Sequence, residues 1–149
     1  MSYRYFLKID GVTGGSTDPL HPGAIELDGI SMSDRRGGPT SVGRGHAEIT
    51  ELTVMKRSDP VSGLLWSASA QARVFKEATL TIEKTNFLGF RVKTSVIKMQ
   101  SVLIDVFSPR HPYEEITLNF ASVQFQQGGT QAVKEASSRG AWLFDGRGA

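Results

Sequence analysis

Apolar residues in this chain return mostly at every second position, and that period limits what it can fold into. Tyr3, Tyr5, Leu7 and Ile9 alternate with Arg4, Phe6 and Lys8 up to a turn at Asp10-Gly11. Ile116, Leu118 and Phe120 alternate in the same way with Thr117 and Asn119. A strand points successive side chains to opposite faces, so period two predicts strands with one face in a core. Val74, Ala78, Leu80 and Ile82 predict another, ended by Thr85-Asn86. A long extended segment runs from Phe90 through Val92, Val96, Ile97, Met99 and Val102 to Phe107, closing at the turn SPRHP. From Phe120 to Phe125 both parities are apolar, which predicts burial of both faces. The polar stretch TQAVKEASSRG is at best weakly helical, and Ala141 to Asp145 reads as a last short strand.

Two phase slips interrupt the alternation. Ile25 and Leu27 lie on the opposite parity to Ile30 and Met32, so the chain must slip by one residue near Asp28-Gly29. Ile49 cannot share a face with Leu52 and Val54 unless a residue near Thr50-Glu51 bulges out. Seven or eight short strands bounded by turn signals predict a mainly β fold, a two-sheet barrel or sandwich, as one domain over residues 1–149.

One stretch breaks the period. In VMKRSDPVSGLLWSASA, residues 54–70, Asp59-Pro60 is a helix-start signal, with the carboxylate as cap. Val61, Leu64, Leu65, Ala68 and Ala72 follow with helical spacing, predicting one short flanking helix over about residues 60–70. Trp66 points about 140° away from Val61 at 100° per residue, off the apolar face. In an assembly, a neighbouring subunit would cover it.

Composition excludes several classes of function. A net charge of +2, from 17 basic and 15 acidic residues, lacks the concentrated basic face of a nucleic-acid binder. With no cysteine there are no disulfides or thiolate metal sites. No apolar run reaches the roughly 18–20 residues of a membrane helix, so no membrane insertion is expected. Arg4, Lys8 and Asp10 within the first apolar stretch argue against a cleaved signal peptide, which predicts a start in the cytoplasm.

Catalytic patterns are missing. GPTSVGRG has phosphate-loop glycine spacing, but Arg44 and Gly45 stand where Lys and Ser or Thr are needed. His21, His46 and His111 have no second ligand at metal spacing and read as solvated loop residues. Glu114 and Glu115 precede a strand and so point to opposite faces, a poor geometry for paired acid–base work. No enzymatic activity and no cofactor are expected.

FLKIDGVTGGSTDPLHPGAIEL, HAEITELTVMKRSDPVSGLL, ATLTIEK, ITLNFASVQF and GAWLFD, in that order, resemble the haemolysin-coregulated protein (Hcp) family. That family builds the tube of bacterial type VI secretion systems. Where it often has an Asn after the C-terminal Trp motif, this chain has DGRGA. The resemblance implies hexameric rings that stack into a tube, partnered by the spike protein VgrG, a contractile sheath and baseplate proteins. The tube is secreted without a cleaved signal and carries small effectors in its lumen, so the subunit doubles as an effector chaperone. It further implies that the glycine-rich loop from Ser33 to Gly45 reaches the neighbouring ring, through Arg35, Arg36, Gly37, Gly38 and Arg44. Ser31, between Ile30 and Met32, is the implied lumen or cargo-facing position, and Trp66 and Phe125 are candidates for the subunit interface. Two alternatives stand beside this: a phage or phage-like tail tube protein, and a monomeric carbohydrate-binding β-sandwich.

Overall fold

Period-two segments become hydrogen-bonded strands once each finds a neighbour. In the computed structural model, which describes residues 2–33, 51–127 and 133–135, all of the expected strands in those ranges form. The elements are β1 (Ser2–Ile9), β2 (Ile25–Leu27), β3 (Gly29–Ser33), β4 (Glu51–Arg57), α1 (Ser62–Ala70), β5 (Val74–Thr85), β6 (Arg91–Arg110), β7 (Tyr113–Gln127) and β8 (Val133–Glu135). They form one antiparallel sheet in the order β2-β1-β5-β6-β7-β4-β3, with β8 added to β7. The outermost strands of that order, β2 and β3, are separated in the chain by Asp28 alone. The sheet therefore curls until its two ends lie one residue apart, giving the expected mainly β barrel with a flanking helix.

The slip near Asp28-Gly29 is a change of partner. Leu27 pairs with Tyr5 on β1, whereas Gly29 pairs with Met55 on β4. Between them the Asp28 N–H donates to Met55 O at 2.7 Å. The second expected slip, at Ile49 and Thr50, lies outside the described residues, as do Ala141 to Asp145. Val133–Glu135, read from sequence as part of a weakly helical stretch, is a strand.

The curled sheet encloses the core. Leu7, Ile9, Leu52, Val54, Leu80, Ile97, Met99, Ile104 and Leu118 are essentially inaccessible to water. Each such side chain contributes on the order of 1.5–3 kcal/mol by leaving water. Phe6 is buried too, although it points to the opposite side from Leu7. The segment of residues 10–24 folds back over it, with the His21 ring stacked on Phe6 at 4.0 Å between centroids.

Three neighbouring strands change phase at one level. Inward residues step from Phe75 to Ala78 on β5, from Met99 to Val102 on β6 and from Phe120 to Val123 on β7. The register places Phe75, Val102 and Phe120 side by side, and likewise Ala78, Met99 and Val123. Between these rows Lys76, Glu77, Gln100, Ser101, Ala121 and Ser122 are all exposed, and Ser101 sits at φ +56°. The mixed parity after Phe120 is thus a concerted step in which one face stays buried, and the expectation that both faces become buried there is corrected.

α1 lies over one side of the barrel, burying Leu65 and Ala68, with Val61 just before it also buried. Two expectations about it change. Leu64 is 42% exposed, and Ala72 falls beyond the last turn at φ +51°, so the buried stripe is narrower than the spacing implied. The N-cap position is Val61 rather than Asp59. Asp59 acts one step earlier, its Oδ1 accepting the Val61 N–H at 3.0 Å in a turn that leads into the helix.

Candidate assembly surfaces

The N-terminus of α1 is anchored by a buried charge that the sequence reading missed. Lys56 occupies an inward position of β4, in phase with Leu52 and Val54, and is 1% exposed. Its Nζ donates to Glu114 Oε1 (3.0 Å), Asp59 Oδ1 (2.9 Å), Ser62 Oγ (3.0 Å) and Arg57 O (2.8 Å). Glu114 faces it directly from β7 and also accepts from Ser62 Oγ at 2.8 Å. Burying an ammonium without partners is costly, so this set of acceptors is what makes the position tenable. Glu115 points the other way, toward Arg110 at 3.9 Å, as the alternation predicts.

With its first turn fixed, α1 presents Trp66 outward. The indole is 65% exposed and stacks on Phe107 of β6, ring centroids 6.4 Å apart and planes within 17°. Val106 is exposed on the opposite face of the sheet, beside Thr117. Phe107 is partly buried against the core, so Trp66 is the open member of the pair. Phe125, its companion candidate for the subunit interface, is buried within the chain itself. The concerted phase step turns it inward with Val123, so its side chain is not available to a neighbour.

Ser31 is exposed on β3, while Ile30 and Met32 pack against the core. The register carries its face across the sheet: Ser31 pairs with Thr53, and Thr53 with Thr117. Thr53 Oγ1 and Thr117 Oγ1 share a hydrogen bond at 3.2 Å. The result is a short row of hydroxyls across β3, β4 and β7. Arg35, Arg36, Gly37, Gly38 and Arg44 lie outside the described residues.

A polar network pins residues 10–24 to the barrel. Arg4 donates to Asp18 (2.8 Å) and Glu26 (3.1 Å), and Arg91 lies 3.0 Å from Glu83 and 3.7 Å from Asp18. His21, read from sequence as a solvated loop residue, is half-buried and bonded through Nε2 to Glu83. The Leu20 N–H, together with the charges of Arg4 and His21, holds the Asp18 carboxyl below its ordinary value against the opposing effect of burial. Burial, helped by Tyr3, raises the Tyr5 phenol. Among the described residues no group of acidic or histidine side chains is arranged to hold a metal ion.

A second open apolar surface was also missed. At the β5–β6 turn Phe87, Leu88 and Phe90 are exposed. Tips between strands are usually polar, and three large apolar residues within FLGF were the available signal.

The sequence profile described as "Type VI secretion system effector, Hcp" matches residues 6–127, from the middle of β1 to the end of β7. The chain belongs to the Hcp family. Its fold is that of Hcp1 from Salmonella typhimurium, at 22% identity and a TM-score of 0.71, with 91% of this chain and 92% of that one covered. A type VI secretion effector from Yersinia pestis is similar at 21% identity and TM-score 0.68, covering 89% and 96%. The secreted protein Hcp3 from Pseudomonas aeruginosa matches at 10% identity and TM-score 0.70, covering 93% and 100%. No curated relative matches the chain. Hcp proteins are structural tube subunits of type VI secretion and not enzymes, and the family assignment sets aside the carbohydrate-binding alternative. Among the described residues no helix is long and apolar enough to cross a membrane.

Proposed function

We propose that the chain forms hexameric rings that stack into a secreted type VI tube with small effector proteins in the lumen. The observation that carries this reading is the family match across residues 6–127, joined to a barrel that leaves Trp66 exposed on its surface, stacked on the partly buried Phe107. A ring needs self-complementary surfaces, and an exposed aromatic face is what a neighbouring subunit would cover. The hydroxyl row of Ser31, Thr53 and Thr117 is the lumen-facing surface in this reading, small and uncharged, suited to releasing cargo as well as holding it. Arg35, Arg36 and Arg44 reach the next ring. VgrG-type spike, sheath and baseplate proteins are the partners at the tube's end and outer wall, and export proceeds without a cleaved signal.

Negative-stain microscopy of the purified chain, alongside mass measurement in solution, tests this. Six-membered rings with an open centre are expected. A strict monomer across micromolar to millimolar concentrations overturns it. Replacing Arg35, Arg36 and Arg44 with Ser should leave rings intact and shorten stacks, and unchanged stacks would remove the loop's role.

A further inference from the structure

The β5–β6 turn extends past the last ladder pairs, Ser2 with Thr85 and Thr85 with Arg91. Asn86 builds the tip. Its Oδ1 accepts the N–H groups of Leu88 (2.9 Å) and Phe90 (3.1 Å), and its own N–H donates to Phe90 O at 3.0 Å. The Gly89 N–H donates to Asn86 O at 2.9 Å, at a φ of +90° that favours glycine. On this fixed backbone Phe87, Leu88 and Phe90 stand 85%, 68% and 66% exposed, with Val92 behind them at 50%. Only Gly89 and Arg91 interrupt this run of large apolar side chains open to water.

The charge around the tip is one-sided. Between Glu83 and Asp105 the chain carries Lys84, Arg91, Lys93 and Lys98 and no acidic residue, although acids nearly match bases overall. Glu83 itself is turned inward and buried, with Arg91 Nε at 3.0 Å and His21 bonded to the same oxygen. The tip is therefore convex, apolar and backed by bases on both strands, and two such tips meeting would bring like charges together. A fluid lipid surface needs no cavity shaped to match, and negative headgroups complement the basic residues. Phe and Leu side chains seat about 5–10 Å into the boundary between headgroups and acyl chains. Lysine stems lie along that boundary and leave their ammonium groups among the phosphates. Because the turn is already held by its own hydrogen bonds, docking orders little backbone.

We propose that the β5–β6 tip is a membrane-surface anchor that seats Phe87, Leu88 and Phe90 in the facing leaflet of an anionic bilayer. The contact is peripheral and needs no spanning segment. It is independent of the ring reading, since a lone subunit carries the whole tip.

Flotation of the purified full chain with phosphatidylcholine vesicles, with and without phosphatidylserine, tests this. Binding to the phosphatidylserine vesicles is expected, and it should weaken as salt rises. Phe87→Ser/Phe90→Ser should keep the wild-type circular dichroism and assembly state and bind those vesicles at least about tenfold more weakly. Lys84→Gln/Lys93→Gln should narrow the preference for phosphatidylserine. The chain has no cysteine, so an environment-sensitive dye on Leu88→Cys reports on the tip alone. That dye should brighten with vesicles, and the same dye on Ala70→Cys, exposed on α1, should not. Absence of wild-type binding overturns the inference, and so does a serine variant that binds like wild type. Loss of assembly in the serine variant, with no vesicle binding by wild type, means that a second copy covers the tip and likewise overturns it. A chain that binds vesicles through the tip yet stays monomeric supports this inference and removes the ring reading.

Discussion

Lys56 and Glu114 face each other across β4 and β7, Nζ 3.0 Å from Oε1, with each side chain less than a tenth exposed. Removing Lys56 would strand the Glu114 charge, whereas removing Glu114 leaves Lys56 with only the partly exposed Asp59 carboxylate. Glu114→Ala should therefore destabilise the chain by up to about 3–5 kcal/mol in urea or guanidinium unfolding. The Lys56→Met/Glu114→Leu double variant should recover most of that loss, because apolar residues of similar size can replace a buried pair. A cost below about 1 kcal/mol for Glu114→Ala would show that water reaches the site.

The carboxyl of Asp18 is held below its usual range by the Leu20 N–H and by Arg4 and His21, so the folded chain binds its proton more weakly than the unfolded one. Its contribution is then fully present above the unfolded value of about 3.9 and is lost as pH falls through the lower folded value. Asp18→Asn should be less stable than wild type at pH 7, and the gap should close as pH falls below about 4. A gap that stays constant across that window would assign the effect to shape rather than charge.

Two adjacent glycines should behave oppositely. A Cβ on Gly14 would lie 2.4 Å from Ala24 O and 2.7 Å from Ile25 Cγ1, so the segment of residues 10–24 would have to move. Gly14→Ala should cost about 1–3 kcal/mol. A Cβ on Gly15 meets nothing within 4 Å, and Gly15→Ala should change stability by about 0.5 kcal/mol or less. Thermal denaturation of the two variants side by side checks this.

Ser101 holds φ +56° in the middle of β6, a conformation that L-residues adopt at a cost. Ser101→Gly should be neutral or stabilising by up to about 1 kcal/mol. Ser101→Val should be destabilising by more than about 1 kcal/mol, since a β-branched side chain tolerates that backbone worst. Equal stabilities for the two would mean that the backbone relaxes on substitution.

Local pattern carried most of the fold. Alternation located β1, β4, β5, β6 and β7, and the parity conflict at Asp28-Gly29 located the residue at which the chain leaves β1 for β4. The helix was legible from the loss of period two, although its buried face was drawn too wide at Leu64 and Ala72. The features that were missed depend on who sits beside whom. Nothing local marks Lys56 as buried; only the register sets Glu114 opposite it. His21 looked solvated because nothing local says that residues 10–24 cross Phe6 and reach Glu83. Phe125 reads as a candidate for the subunit interface because one strand read alone cannot show a phase step shared by three. Ser31, by contrast, needed only its two neighbours, and it is exposed as they implied.

The shared step at Lys76, Ser101 and Ala121 has a consequence for how such a chain can change length. Deleting one residue between Met99 and Val102 would keep β6 hydrogen-bonded but rotate everything on one side of the gap by half a turn. Val102 and Ile104 would face water, and Leu103 would enter the core opposite neighbours that had not rotated. Only matched deletions in β5, β6 and β7 would restore agreement. The step is therefore a frame shared by three separate stretches of sequence, so insertions and deletions should accumulate in the loops at either end and avoid this level of the barrel.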